Sequence, residues 1–296
     1  MIRKFLFLIN PRAGLQQNLR LEELIAAACT QHGYLYELMQ TPADSNYHSV
    51  AAHISNSNST DIIICGGDGT ISTVVSSLRH LPVQFGIIPR GSGNGLAFAA
   101  GIPKSPRKAL ELIFRNNAQP VDAFFINGTF SCMLSGLGFD AAVAHAFDRQ
   151  TKRGLWKYVQ LTLQQLKQLR SYPFVLETNG QRIETNALFL SIANSNQFGN
   201  HFTIAPRASL QDGLLDLVAV EQAGKLLLLL RLLWHLRFGT FTRNLQHRHG
   251  ILYLQTKQVR ILNPHRAPLH IDGDGKPTAT TFDIEIIPAA YRLLLP

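Results

Sequence analysis

Residues 61–70 read DIIICGGDGT, an apolar run of β-forming residues followed at once by glycines, a carboxylate and a threonine. Such a run predicts a buried strand and a tight turn into a helix. The turn exposes backbone N–H groups at the helix N-terminus, where phosphate oxygens bind. The carboxylate of Asp68 suits an anion site if a Mg²⁺ ion or a reacting hydroxyl lies between it and the phosphate. The alternative is an ordinary strand-to-helix turn in which Asp68 is a capping residue.

A second glycine cluster has the sequence PRGSGNG at residues 89–95, between a strand-like run and a helix-compatible run. Two parallel strands that end in glycine turns bring both turns to the carboxyl edge of one sheet, where open α/β folds bind ligands. Neither turn has the Walker A sequence or the Rossmann GxGxxG spacing. We therefore expect the two turns to lie side by side and to bind a phosphate-bearing ligand.

The rest of the chain divides into two patterns. In residues 1–121, short β-rich runs alternate with helix-length segments, which predicts an α/β domain with a parallel sheet. In residues 122–296, closely spaced strand-like runs predict an antiparallel β-sandwich domain, whose last residues could return to the first domain. Helical segments are expected at residues 149–170 and 224–238 within this second half.

Composition narrows the class of protein. The 296 residues are 46% hydrophobic and 16% charged, which favours a folded protein over a disordered one. Three scattered cysteines without a CxxC pair argue against a disulfide framework or a structural zinc site, and indicate a reducing compartment. The apolar run at residues 5–9 is too short for the core of a signal peptide, so we expect a cytoplasmic protein.

The net charge of +9 favours acidic partners. Residues 222–271 contain eight basic residues and no Asp or Glu, and the leucine-rich segment 226–238 lies within them. This segment suits either an interfacial helix at an anionic membrane surface or a helix packed in the core, but it is too short and too charged to span a membrane. No zinc-finger, helix-turn-helix or RNA-recognition signature favours nucleic acid.

Taken together, the motifs of this chain resemble those of the diacylglycerol kinase catalytic family, which includes bacterial soluble lipid kinases and the sphingosine and ceramide kinases. The resemblance runs in order over nearly the whole chain. The matching motifs are NPRAG at 10–14, GGDGT at 66–70, PRGSGN at 89–94, GIP at 101–103, GFDA at 138–141, AP at 205–206, DGLLD at 212–216 and IDGD at 271–274.

The resemblance implies an N-terminal α/β nucleotide-binding domain similar to that of NAD kinase, a C-terminal β-sandwich, and a cleft between them where ATP meets a lipid hydroxyl. It implies Mg²⁺ bound by the Asp212 side chain and the backbone carbonyls of Ser209 and Leu214. The expected general base is Asp272, with Asp68 as a rival. The expected nucleotide-binding residues are Asn10, Thr41, Gly66, Gly67, Asp68, Gly69, Thr70, Ser92, Asn94 and Asp274.

Three positions depart from the usual family pattern: Ser92 stands where Thr is usual, Gly95 where Asp is frequent, and Asp274 where Glu is usual. The function expected is ATP-dependent phosphorylation of a lipid hydroxyl, most simply that of a diacylglycerol-like acceptor at an anionic membrane surface. The alternatives are phosphorylation of a soluble hydroxyl acceptor, as in the NAD kinases, and a catalytically silent membrane-binding module. The identity of the lipid and the formation of a homodimer stay open.

Overall fold

The computed structural model of the protein describes residues 3–13, 18–150, 155–197, 203–221 and 250–296. The chain forms two compact units, which are described separately. Unit 1 contains Met1–Val121 together with Ala289–Pro296, and unit 2 contains Asp122–Pro288.

Unit 1 is an α/β domain around a parallel sheet in the order β2-β1-β3-β4. The apolar runs of β1 and β3 are buried throughout, as expected for strands of a parallel sheet that is covered on both faces. The elements are β1 (Lys4–Ile9), α1 (Asn18–His32), β2 (Leu35–Gln40), α2 (His48–Ser57), β3 (Asp61–Gly66), α3 (Asp68–Leu78), β4 (Gln84–Pro89), α4 (Gly95–Ala99) and α5 (Pro106–Phe114).

Unit 2 is an antiparallel β-sandwich. Its β9 pairs with β7, β8 and β10, and its β12 pairs with β8 and β15. Alternate residues of β8 face a core that includes Phe124, Phe174 and Phe282. The strands are β5 (Ala118–Ile126), β6 (Thr129–Ser131), β7 (Leu134–Gly138), β8 (Tyr172–Thr178), β9 (Gln181–Ala193), β10 (Leu215–Glu221), β11 (Ile251–Thr256), β12 (Gln258–Leu262), β13 (Leu269–Ile271), β14 (Asp274–Lys276) and β15 (Thr281–Leu294).

The helical segment expected at 149–170 is confirmed by α7 (Leu155–Gln165) and the 3-10 turn that follows it, Leu166–Gln168. A further helix, α6 (Phe139–Asp148), was not expected. The helix expected at 224–238 lies outside the described residues. Among the helices that the structure describes, none is both long and apolar enough to cross a membrane.

The three cysteines, Cys29, Cys65 and Cys132, are free thiols and all are buried. Burial raises the pKa of Cys29 to about 11 and that of Cys65 to about 12. Both thiols therefore stay protonated at neutral pH, and we assign them to packing.

A buried ion pair holds the start of β3. Asp61 has no exposed surface, and its carboxylate accepts hydrogen bonds from the side chains of Arg3, Thr60 and Gln84. The Arg3 guanidinium also donates to the Ile113 carbonyl at 3.1 Å, so it connects β3 with the end of α5. A buried carboxylate needs such partners to offset the loss of hydration.

We predict that Arg3→Ala lowers the free energy of unfolding by about 3 kcal/mol, because it leaves the Asp61 carboxylate buried without its cationic partner. Urea denaturation measures the change. The matched control is Arg107→Ala, since Arg107 is exposed and only 3.9 Å from Glu111 across one helical turn. The control should change the unfolding free energy by less than about 0.5 kcal/mol. Equal losses in the two variants would contradict the assignment.

Candidate active site

The two glycine turns of unit 1 touch through their backbones, which confirms that they lie side by side. A Cβ atom at Gly67 would lie 2.9 Å from the Gly91 Cα, and one at Gly91 would lie 2.6 Å from the Gly67 Cα. The contact follows from the parallel pairing of β3 with β4, which ends at Gly66 opposite Pro89. A hydrogen bond from the Arg90 N–H to the Gly66 carbonyl, at 2.8 Å, continues this pairing into the turns.

The first turn leads into α3 without a side-chain cap. The first N–H groups of a helix have no carbonyl partner one turn earlier, so they suit phosphate oxygens. Gly66, Gly67, Gly69 and Thr70 form this segment of main chain, and Thr70 also packs its side chain against Gly66. The Asn10 side-chain amide donates to the Thr70 hydroxyl oxygen at 2.7 Å, so the loop after β1 orients the same turn.

Asp68 faces the second turn. Its carboxylate accepts a hydrogen bond from the Leu96 N–H at 3.3 Å, and a Cβ atom at Gly93 would lie 3.1 Å from its Oδ2. The side chain is half-buried. Asp68 therefore lies where the two turns meet. The sequence analysis predicted that it is either a helix-capping residue or a carboxylate next to a Mg²⁺ ion or a reacting hydroxyl.

The second turn is braced from inside by Asn94. Its side-chain amide accepts from the Gly91 N–H and donates to the Gly91 carbonyl, both at 2.8 Å. Asn94 is buried and adopts a left-handed conformation with φ of 53°, which Asn tolerates better than most residues. Asn94 would therefore affect nucleotide binding through the shape of the turn. Ser92, in contrast, is exposed.

Two further residues border this edge of the sheet. Thr41 directly follows β2, and its N–H donates to the Ile9 carbonyl at 3.0 Å. Arg90 donates from its guanidinium to the Ala13 carbonyl at 3.2 Å, so it joins the second turn to the loop after β1. Burial lowers the pKa of Arg90, which still remains a cation at neutral pH.

In unit 2, Asp272 occupies a turn between β13 and β14 with φ of 49°. Its carboxylate is buried and accepts hydrogen bonds from the Ser131 hydroxyl and from the N–H groups of Cys132, Met133 and Leu134, at 2.7–3.2 Å. These donors come from the chain itself. A substrate hydroxyl that donates to Asp272 would join or replace these donors.

The same turn is held by a buried pair that the sequence analysis did not single out as functional. The Gly273 N–H donates to His270 Nδ1 at 3.3 Å, which places the ring hydrogen on Nε2, 3.3 Å from Asp140 Oδ2. Both side chains are nearly buried. Asp140 was visible only as part of the GFDA motif, and no local signal paired it with a histidine 130 residues away.

Asp274, the remaining acidic residue of this hairpin, is exposed, and its carboxylate lies 3.8 Å from the Lys276 ammonium. Helix α6 holds the hairpin at two further points. His145 Nε2 donates to the Leu269 carbonyl at 2.9 Å, and the Asp148 carboxylate accepts from the Gly275 N–H at 2.7 Å.

The expected Mg²⁺ site lies in the loop before β10. The Asp212 carboxylate accepts from the Leu214 N–H at 3.1 Å, and the Ser209 hydroxyl accepts from the Gln211 N–H at 3.3 Å. Burial and, more weakly, the Asp122 carboxylate raise the pKa of Asp212, against the hydrogen bond from Leu214. A cation would relieve this repulsion, and carboxylate and carbonyl oxygens are the ligands that Mg²⁺ prefers, so the residues present fit the ion.

Two more aspartates lie around this loop. The buried Asp122 carboxylate accepts from the Gly213 N–H at 2.8 Å. Burial raises the pKa of Asp216 to about 6, although the side chains of Tyr253 and Gln255 donate hydrogen bonds to it. In the described part of the chain, no group of three or more His, Cys, Asp or Glu side chains is arranged to hold a metal ion, so any ion here depends on backbone oxygens.

We predict that Gly67→Ala weakens binding of a non-hydrolysable ATP analogue by at least about tenfold, because the added methyl group forces the two turns apart. Isothermal titration measures the affinity. The control is Gly128→Ala, where φ of 78° makes any side chain strained but no atom lies within 4 Å. It should lower the unfolding temperature and leave the affinity unchanged. Wild-type affinity in Gly67→Ala would show that the contact is not needed for binding.

Comparison with known proteins matches both halves of the chain to domain families. Residues 4–126 match the diacylglycerol kinase catalytic domain, and residues 134–295 match the YegS C-terminal NAD kinase beta sandwich-like domain. A solved diacylglycerol kinase from Bacillus anthracis superposes with a TM-score of 0.75 over 99% of this chain and 97% of its own, at 20% identity. At this identity the likeness shows the fold.

Relatives with curated names agree with the two domain matches. A "Probable lipid kinase YegS-like" from Enterobacter is 31% identical over 79% of this chain and 78% of its own length. A diacylglycerol kinase from Bacillus subtilis is 27% identical over 72% of this chain and 70% of its own length. A longer uncharacterised protein from Synechocystis is 27% identical over 79% of this chain, which spans about half (54%) of that relative. The chain therefore belongs to the diacylglycerol kinase catalytic family and has the YegS-type β-sandwich as its second domain.

Proposed function

We propose that the protein is an ATP-dependent lipid kinase that transfers the γ-phosphoryl group of ATP to a lipid hydroxyl, with a diacylglycerol-like molecule as acceptor. The observation that carries the proposal is the backbone contact between Gly67 and Gly91 at the start of α3. This contact brings together two turns that suit phosphate binding, in a chain whose named relatives are lipid and diacylglycerol kinases.

On the donor side, the N–H groups of residues 67–70 bind phosphate oxygens, and Ser92 adds a hydroxyl donor. Asn10 keeps Thr70 in position through its hydrogen bond to the threonine hydroxyl. Thr41 contacts the nucleotide from the end of β2. Because phosphoryl transfer involves little covalent chemistry by the protein, this positioning is the main contribution of unit 1.

When bound, Mg²⁺ neutralises the negative charges of carboxylates and phosphates, which would otherwise repel one another. Asp212, with the carbonyl groups of Ser209 and Leu214, would hold such an ion in unit 2. The proximity of Asp122 to Asp212 supports this assignment, because two nearby carboxylates favour a cation.

The lipid hydroxyl is a weak nucleophile until its proton is accepted, so a base is required. We assign this role to Asp272 and keep Asp68 as the rival. In this role, Asp272 accepts a hydrogen bond from the substrate hydroxyl, which joins or replaces its main-chain donors. The hydrogen bond from His270 to Asp140 supports the turn during this step, because His270 accepts the Gly273 N–H. Asp274 lies two residues further and is exposed for contact with the nucleotide.

The lipid acceptor implies that the protein works at a membrane surface from the cytoplasmic side, as a peripheral protein. Its net charge of +9 supports attraction to anionic lipid headgroups. Much of the basic sequence, including the segment 226–238, lies outside the described residues.

The proposal is tested with purified protein, radiolabelled ATP, Mg²⁺ and mixed micelles of diacylglycerol, monoacylglycerol, a sphingoid base or an isoprenoid alcohol. We expect a radiolabelled phospholipid from diacylglycerol. A parallel reaction with NAD tests the soluble-acceptor alternative. Transfer to NAD alone would replace the proposal with that alternative, and ATP binding without transfer to any acceptor would reject it.

We predict that Asp272→Asn lowers kcat by about 10²–10⁴-fold, the usual contribution of a general base, and leaves the affinity for ATP unchanged. Asp68→Asn is the matched comparison, because it removes a carboxylate that faces the second glycine turn. Asp283→Asn controls for the loss of a carboxylate in unit 2, since Asp283 is exposed and pairs with Arg260. If Asp68→Asn loses turnover and Asp272→Asn retains it, the base is Asp68.

A further inference from the structure

Unit 2 contains a cavity of about 610 Å³ between α6, the 3-10 turn after α7 and the chain around residues 276–278. Apolar side chains form much of its wall, among them Phe139, Ala142, Leu169 and Pro268. A second hollow of about 360 Å³ shares Ala142, His145 and Pro268 with the first, so the two form one groove along α6. The volume of the groove is sufficient for part of an acyl chain together with a polar headgroup.

Basic side chains line the same groove. Arg170, Arg266 and Lys276 border the larger cavity, and Arg149 borders the smaller one. The Arg170 guanidinium stacks 4.8 Å from the centre of the Tyr172 ring, and its Nε donates to the Tyr172 hydroxyl at 2.7 Å. This pair fixes the orientation of Arg170 and leaves the outer N–H groups of the guanidinium for a ligand.

Among the described residues that line the two cavities, none is Asp or Glu. Within the described residues, the only carboxylate in salt-bridge range of these four cations is Asp274, 3.8 Å from Lys276. Arg170 and Arg266 thus present positive charge to the groove without a carboxylate to offset it. Such a combination of apolar wall and uncompensated cations is complementary to an amphipathic anion.

We propose that this groove binds an anionic phospholipid, with the headgroup phosphate at Arg170, Arg266 and Lys276 and the first part of an acyl chain against Phe139, Ala142 and Leu169. A neutral acceptor such as diacylglycerol has no charge to meet these cations. Free phosphate has no apolar part to occupy the wall. The site is therefore one for a lipid that already carries a phosphate, and its occupation does not rest on the proposed kinase activity.

The groove shares a wall with the hairpin of Asp272. Lys276 ends β14, and the His145 ring packs directly against Gly275, where an added Cβ would lie 2.7 Å from Nδ1. A lipid in the groove thus contacts residues that also support the turn between β13 and β14.

The test is isothermal titration of the full chain, without ATP, with three probes: a short-chain phosphatidylglycerol below its micelle concentration, a short-chain diacylglycerol and inorganic phosphate. The charge variant is Arg170→Gln combined with Arg266→Asn, since Asn tolerates the φ of 50° at position 266. The fill variant is Ala142→Leu, which places bulk in the groove and keeps its charge. The control is Lys104→Gln combined with Arg107→Gln, which removes two exposed cations from unit 1.

We expect phosphatidylglycerol to bind the wild type and the control equally, and both groove variants at least about tenfold more weakly. Unchanged binding in the charge variant would overturn the proposal. So would phosphate that binds as tightly as the lipid, or diacylglycerol that binds as tightly as phosphatidylglycerol. Thermal unfolding verifies that each variant is folded, and if Ala142→Leu does not fold, the charge variant decides alone. A negative kinase assay would leave this result intact.

Discussion

The close approach of Gly67 and Gly91 is the constraint on which the two glycine turns of the candidate site depend. Neighbouring parallel strands end at the same level, so their turns must share a space that admits no side chain. This contact brings Asp68 against the second turn and leaves Thr70 within reach of Asn10. The loops after β1, β3 and β4 are then held by hydrogen bonds between them.

The parallel sheet and most sandwich strands could be predicted from the sequence because local signals coincide with the fold. The apolar runs of β1 and β3 are buried throughout, and β8 alternates as a strand with one buried face should. Helix α6 was not predicted, because its first residues were interpreted only as part of the GFDA motif. Gly138 turns the chain, with φ of 100°, and the residues that follow form a helix against the hairpin of Asp272.

The residue types of the candidate site could also be anticipated, whereas their surroundings could not. The Asp272 carboxylate accepts hydrogen bonds from main-chain N–H groups about 140 residues earlier in the chain. Because every residue except proline has such a group, this environment cannot be predicted from residue types. The pairing of Asp140 with His270 is equally remote. The cations of the groove extend from Arg149 to Lys276, well over a hundred residues apart in sequence, and only the tertiary fold brings them to one surface.

Strand β15 begins in the sandwich and ends beside β4, where Leu293 pairs with Phe85 and is fully buried. The α/β unit is thus interrupted by the whole of the sandwich and receives its final strand residues last. The pairing of Leu293 with Phe85 closes a loop that contains the whole sandwich, and contacts between residues so far apart in sequence form slowly. Until this contact forms, β4 lacks its neighbour on one side of the sheet, and its apolar residues are accessible to chaperones and proteases.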